Sequence, residues 1–201
     1  MRMSLSDRLL LLLTGLLAAY EIVVGINDLS TLPILAYTIA FGVLLVAVLL
    51  LLLQGFEVLD SPVVVVIATV IPLSLSAGLA WEYAPAWRSP TLIFALGGFL
   101  AVLLTRALPV RGAGPILVLT FVHGVAGLVI CLLPLVRVFQ GLAAPGFALV
   151  GAGGALIGLG GLSLSFLRLG RPFLPREAIY HLLPGLLCLM TGCFVAGFYL
   201  A

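Results

Sequence analysis

Two histidines and a few acids are the side chains of this 201-residue chain whose types and placing could handle protons, electrons or a redox ligand. His123 and His181 both fall in long apolar runs, each within about two turns of the same end. Such a pair on parallel helices could ligate one b-type haem axially. Gly124 and Gly127 beside His123 would leave room for a porphyrin edge, although the two depths differ by about one turn, which a single haem tolerates poorly. The second chemistry is proton or quinone handling. Glu177 stands four residues before His181 on the same helical face, so a carboxylate–imidazole pair is expected at that end. The third reading makes both histidines satisfied structural residues. Glu21 is the acid set most firmly inside an apolar run, where an ionisable group is expensive and marks a functional site by default. The bland alternative is that it snorkels or pairs with Arg137 or Arg88. Tyr20, Asp28, Trp81, Glu82 and Arg137 should share its side of the molecule as an outer polar pocket.

Glycine supplies the other chemical signal. Gly146, Gly153 and Gly160 recur every seven residues, and Gly154 with Gly158 forms a GxxxG pair. A bare backbone face of this kind admits a neighbouring helix or a flat cofactor such as quinone, haem or carotenoid.

Several chemistries are excluded. All nine basic side chains are arginine, and the absence of lysine rules out a Schiff-base site, hence a retinal protein. Cys131, Cys188 and Cys193 form no CxxC and read as small buried hydrophobes. No metal-ligand cluster appears, and Ser163 and Ser165 lack a histidine at comparable depth, so neither a metal centre nor a catalytic residue is expected.

These residues must be positioned by membrane helices. The chain is 64% hydrophobic and 8% charged, with mean hydropathy +1.38, which a water-soluble domain of this size could not carry. A formal charge of +2 implies no nucleic-acid partner, and the lipid bilayer is the solvent. The pattern predicts one all-α domain over residues 1–201, a polytopic bundle of seven transmembrane helices at about 8–26, 33–53, 62–81, 90–108, 114–138, 145–168 and 177–200. Pro33, Pro62, Pro90, Pro115 and Pro145 mark helix starts, whereas Pro72, Pro134 and Pro184 fall inside helices. The run Leu9 to Ala19 behind Arg2 and Arg8 looks like a signal-peptide core and is read as an uncleaved first span. Arg2, Arg8, Arg106, Arg111, Arg168, Arg171 and Arg176 fall on one side and only Arg88 and Arg137 on the other. That asymmetry predicts a cytoplasmic N-terminus and an outer C-terminus.

The stretch from Gly158 through Leu169-Gly170-Arg171-Pro172 to Arg176-Glu177 resembles the membrane anchor subunits of dimethyl-sulfoxide-reductase-type and polysulfide-reductase-type respiratory complexes. The resemblance covers about residues 146–180. It implies a helical anchor that holds peripheral iron–sulfur and molybdopterin subunits and offers a quinol site, with Leu169, Gly170, Arg171, Pro172, Arg176 and Glu177 matching. Arg168 stands where those families carry the histidine beside the quinone, the connection is shorter, and the motif falls at the end of this chain rather than near its start.

The sequence thus points to an integral subunit of a respiratory or photosynthetic electron-transfer complex in the bacterial inner membrane, without activity alone. Quinone is the first cofactor candidate and haem b the second. Glu21, His123, Arg171, Glu177 and His181 are the candidates for quinone or proton handling, and His123 and His181 for haem. Gly146, Gly153, Gly154, Gly158 and Gly160 form the face for helix packing or cofactor approach. A purely structural or assembly subunit and a small transporter are the alternatives.

Overall fold

The computed structural model describes residues 3–26, 29–110, 112–170 and 174–201, and among them every regular element is helical. The seven long helices are α1 (Leu5–Val24), α2 (Thr31–Gln54), α3 (Pro62–Tyr83), α4 (Arg88–Ala107), α5 (Gly114–Phe139), α6 (Ala148–Arg168) and α7 (Arg176–Tyr199). Local chemistry explains the boundaries. α1 starts three residues earlier than apolarity alone predicts, because Ser4 and Asp7 form a capping box. The Asp7 amide donates to Ser4 Oγ at 3.1 Å, and the Ser4 amide donates to Asp7 Oδ2 at 2.9 Å. Gly25 and Gly55 end α1 and α2 with φ of +69° and +76°, a conformation that side chains with a Cβ disfavour. Residues Pro145–Phe147 form a 3-10 turn ahead of α6 rather than its first α-helical turn.

Six of these helical segments are long and apolar enough to cross a bilayer: Thr31–Asp60, Pro62–Tyr83, Pro85–Ala107, Gly114–Phe139, Pro145–Leu167 and Arg176–Tyr199. α1 is as long, but it carries Asp7, Arg8 and Glu21 within its twenty residues. Leucine, valine and phenylalanine side chains face outward along every helix, as lipid contact requires and water would forbid.

Packing partners define a ring. α1 packs on α2, α2 on α3, α3 on α5, α5 on α6, α6 on α7, and α7 back on α1. α4 lies outside this ring, seated on α3 and α5. Inside the ring, α2 and α7 stand too far apart for backbone packing, and aromatic rings fill the gap. Phe41 meets Phe194 edge-on at 6.5 Å and Tyr37 meets Phe198 at 4.8 Å, and Phe56, in the 3-10 turn Gly55–Asp60 that follows α2, stacks on Tyr180 at 5.3 Å. Aromatic filling leaves part of the ring's interior open, between the ends of α2, α5 and α6 that carry Leu51, His123 and Leu164.

Candidate functional site: a cavity system around His123

His123 lies in the third turn of α5, about 13 Å along the axis from the start of the helix. Its half-buried ring borders three adjoining cavities. The first, about 160 Å³, occupies the ring's interior among Leu44, Val48, Ile71, Leu187 and Met190. The second, about 440 Å³, is a groove between α5 and α6 floored by Gly124, Gly127, Gly154, Gly158 and Gly161. The third, about 110 Å³, opens between α3, α5 and α6 past Val65, Leu119 and Ser165. The imidazole is the one titratable side chain shared by all three. The groove alone falls within the ~300–1,000 Å³ range of small-molecule sites.

The polar groups at this junction are few and underused. His123 Nδ1 is buried without a hydrogen-bond partner; the Leu119 carbonyl one turn back is near but out of hydrogen-bond geometry. Pro72 of α3 has no N–H, which deprives the Ala68 carbonyl of its helical donor, and both residues line the first cavity. An apolar chamber bordered by an imidazole and a spare carbonyl suits a flat apolar ligand with a hydrogen-bonding edge.

The glycines of α6 and of the 3-10 turn before it divide into two sets. A Cβ on Gly153 would lie 2.6 Å from the Phe194 ring, and one on Gly146 would overlap Leu200, so these two let α7 approach. A Cβ on Gly154 would lie 2.6 Å from the Cys131 amide nitrogen and 2.7 Å from the Ile130 carbonyl carbon, so Gly154 lets the α5 backbone approach. A Cβ on Gly160 would lie 3.1 Å from the Leu186 side chain, and Gly160 also borders the first cavity. Gly158 differs, because a Cβ there would enter open space in the groove. Close helix packing and an open groove are therefore both provided by the one helix, at different residues.

His181 does not join His123. It is exposed on α7, two residues and so about 200° from the cavity-lining Leu183. α5 and α7 each pack on α6 rather than on one another. The geometry thus withholds the second axial histidine that a bis-histidine haem at His123 requires. Glu177 is exposed as well, and among the described residues no hydrogen bond or ion pair joins it to His181. Arg171 lies outside the described residues. At the same end, Arg176 pairs with Asp60 at 3.4 Å and reaches Tyr180 Oη at 3.2 Å, beside a cavity of about 180 Å³ that shares Leu59 and Leu164 with the His123 system. Both partners of that ion pair are 61% exposed, so the pair itself adds little stability.

Glu21 is at the opposite end of the bundle, buried near the end of α1. It pairs with neither arginine of that end. Arg88 Nε donates to the Trp81 carbonyl at 2.6 Å with its guanidinium over the Trp81 ring, and Arg137 donates to the Tyr83 carbonyl. Glu82 accepts from Ser30 Oγ at 2.9 Å. Tyr20 is exposed, and Asp28 lies outside the described residues, so the outer polar pocket expected around Glu21 is not assembled from those residues. Its actual neighbour, Tyr37, was missed in the sequence. The available signal was geometric: a hairpin turning near residue 29 sets residue 21 of α1 opposite residue 37 of α2.

No family model, curated protein or solved structure matches this chain.

Proposed function

We propose that this protein is a quinone-binding integral subunit of a membrane electron-transfer complex, with His123 at its ligand site. The observation that carries the reading is the glycine-floored groove with the His123 imidazole on its wall. A bound quinone would supply two-electron, two-proton chemistry at its carbonyl oxygens. The chain's own part is to hold the ring and its edge. Gly124, Gly127 and Gly158 leave a flat slot, and the apolar walls exclude water. His123 donates a hydrogen bond to the ligand edge from a ring nitrogen. The resemblance of residues 146–180 to reductase anchor subunits supports the same reading and supplies the kind of partner: peripheral redox subunits docked at the arginine-rich end.

In this reading α1 also crosses the bilayer, giving seven spans. Its acids do not forbid that, since Asp7 is used in the cap and Glu21 faces the protein interior. The arginine asymmetry then sets the N-terminus and the His123 end in the cytoplasm and the C-terminus outside, in a bacterial inner membrane.

Titrating a short-chain quinone into the protein in nanodiscs tests the proposal. His123→Ala should weaken binding about tenfold, the loss of one hydrogen bond to a desolvated partner. His123→Gln, which keeps a donor, should restore part of it. Equal affinity in all three proteins would remove His123 from the site.

A further inference from the structure

Asp60 ends the apolar segment Thr31–Asp60 and Arg176 begins the segment Arg176–Tyr199, and the two charges stand together on a cavity of about 180 Å³. Asp60, Arg176 and Tyr180 are its polar lining, and Leu59, Leu164 and Leu167 its apolar one. The three polar groups converge. Arg176 Nη2 lies 3.4 Å from Asp60 Oδ2, Arg176 Nε donates to Tyr180 Oη at 3.2 Å, and the guanidinium sits 5.2 Å from the centre of the Tyr180 ring. Tyr180 is a fixed support, since it is buried and stacks on the buried Phe56 ring. The guanidinium is thus aimed, yet among the described residues only its Nε and Nη2 have acceptors, and Asp60 Oδ1 accepts from no donor.

One acid and one base give the pocket both signs of charge. A purely anionic guest would meet repulsion from Asp60, and a purely cationic one from Arg176. A group carrying a phosphate and an ammonium a few ångströms apart satisfies both, whereas a quinone offers neither charge. The ion pair yields easily, because exposed pairs are weak and 3.4 Å is long beside the ~2.8 Å of a charge-assisted hydrogen bond. The volume exceeds what a water or a lone ion fills and falls short of the ~300 Å³ at which drug-sized sites begin. Leu59 and Leu164 also border the apolar cavities beside His123, so hydrocarbon-lined space adjoins the charged pocket. Both charges terminate membrane-crossing segments, which sets them at the depth of lipid headgroups. A charged head at that depth with a hydrocarbon chain beside it is the layout of a phospholipid.

We infer that Asp60, Arg176 and Tyr180 form a headgroup site for one zwitterionic phospholipid, independently of the quinone reading. Its phosphate lies on Arg176, its primary ammonium on Asp60, and an acyl chain against Leu164. The full-length protein is reconstituted with equal amounts of phosphatidylethanolamine, phosphatidylcholine and phosphatidylglycerol, extracted into detergent, delipidated stepwise and weighed by native mass spectrometry. One phosphatidylethanolamine should persist after the other two lipids have left, because choline has no N–H to donate and the glycerol headgroup no positive charge. Arg176→Gln should lower the retained fraction about tenfold, the loss of a charge-assisted contact. Asp60→Asn should erase the preference for the ethanolamine lipid over the glycerol one. Both side chains are 61% exposed, so the unfolding temperature of each variant should match the parent's. Water-soluble glycerophosphoethanolamine at the same concentration should not displace the lipid. Equal loss of the three lipids, retention of phosphatidylglycerol in place of phosphatidylethanolamine, or retention unchanged in both variants would overturn the site. Displacement by the soluble headgroup would overturn a lipid as its occupant.

Discussion

Replacing Gly154 by alanine should lower the unfolding temperature by about 5–10 °C in detergent. The added methyl would lie 2.6 Å from the Cys131 nitrogen and 2.7 Å from the Ile130 carbonyl carbon. Both are backbone atoms of a helix, which cannot rotate aside as a side chain can, so α5 and α6 must separate. Overpacking of this kind costs about 1–3 kcal/mol, and in a chain of about 200 residues each kcal/mol moves the midpoint by about 2–4 °C. Gly158→Ala is the matched control. It lies one helical turn further along α6 with nothing within 4 Å of its Cβ position, and it should leave the midpoint unchanged or slightly raised by helix propensity. A differential scan of the two variants measures the contrast. Equal effects would mean that α5 and α6 do not meet at Gly154.

Gly158→Leu should do the reverse, sparing stability and removing the ligand. Leucine at this position projects into the groove bordered by His123, Gly124, Gly127 and Leu128. It occupies the slot in which a planar ring would lie, without pressing on backbone. Quinone affinity should fall more than tenfold while the unfolding midpoint stays within about 2 °C of the parent, since surface-like substitutions that touch nothing change stability by about 0.5 kcal/mol or less. Loss of both binding and stability together would mean that residue 158 is packed. Unchanged binding would mean that the groove is not where the quinone enters.

Helix number and placing were legible in the sequence because the chain punctuates itself. Pro62 and Pro115 sit in the first turns of α3 and α5, and Gly25 and Gly55 close α1 and α2. The ring with α4 outside it was not legible. Helices such as α2, α3 and α5 are apolar on every side, because lipid and protein interior both take leucine and valine, and no stripe records which face is buried. The same degeneracy hid the division among the glycines. Gly154 and Gly158 look alike four residues apart, yet one touches the α5 backbone and the other a void. Histidines were visible as exceptions, but their partners were not. Equal rarity suggested pairing His123 with His181, and the rotation of α7 places His181 outward, away from the cavity lined by Leu183 and Leu187. Glu21 stood out by its cost in an apolar run. Tyr37, its neighbour, was hidden because a tyrosine near a membrane interface is ordinary.

Photo-crosslinking with an azido-quinone, followed by peptide mapping of the labelled protein, bears most directly on the His123 site. Label is expected on α5 and α6 between Thr120 and Cys131 and between Gly154 and Ser165, competed by unmodified quinone and absent in Gly158→Leu. Label spread over the lipid-facing residues of all helices, or insensitive to competitor, would contradict a quinone site in this cavity.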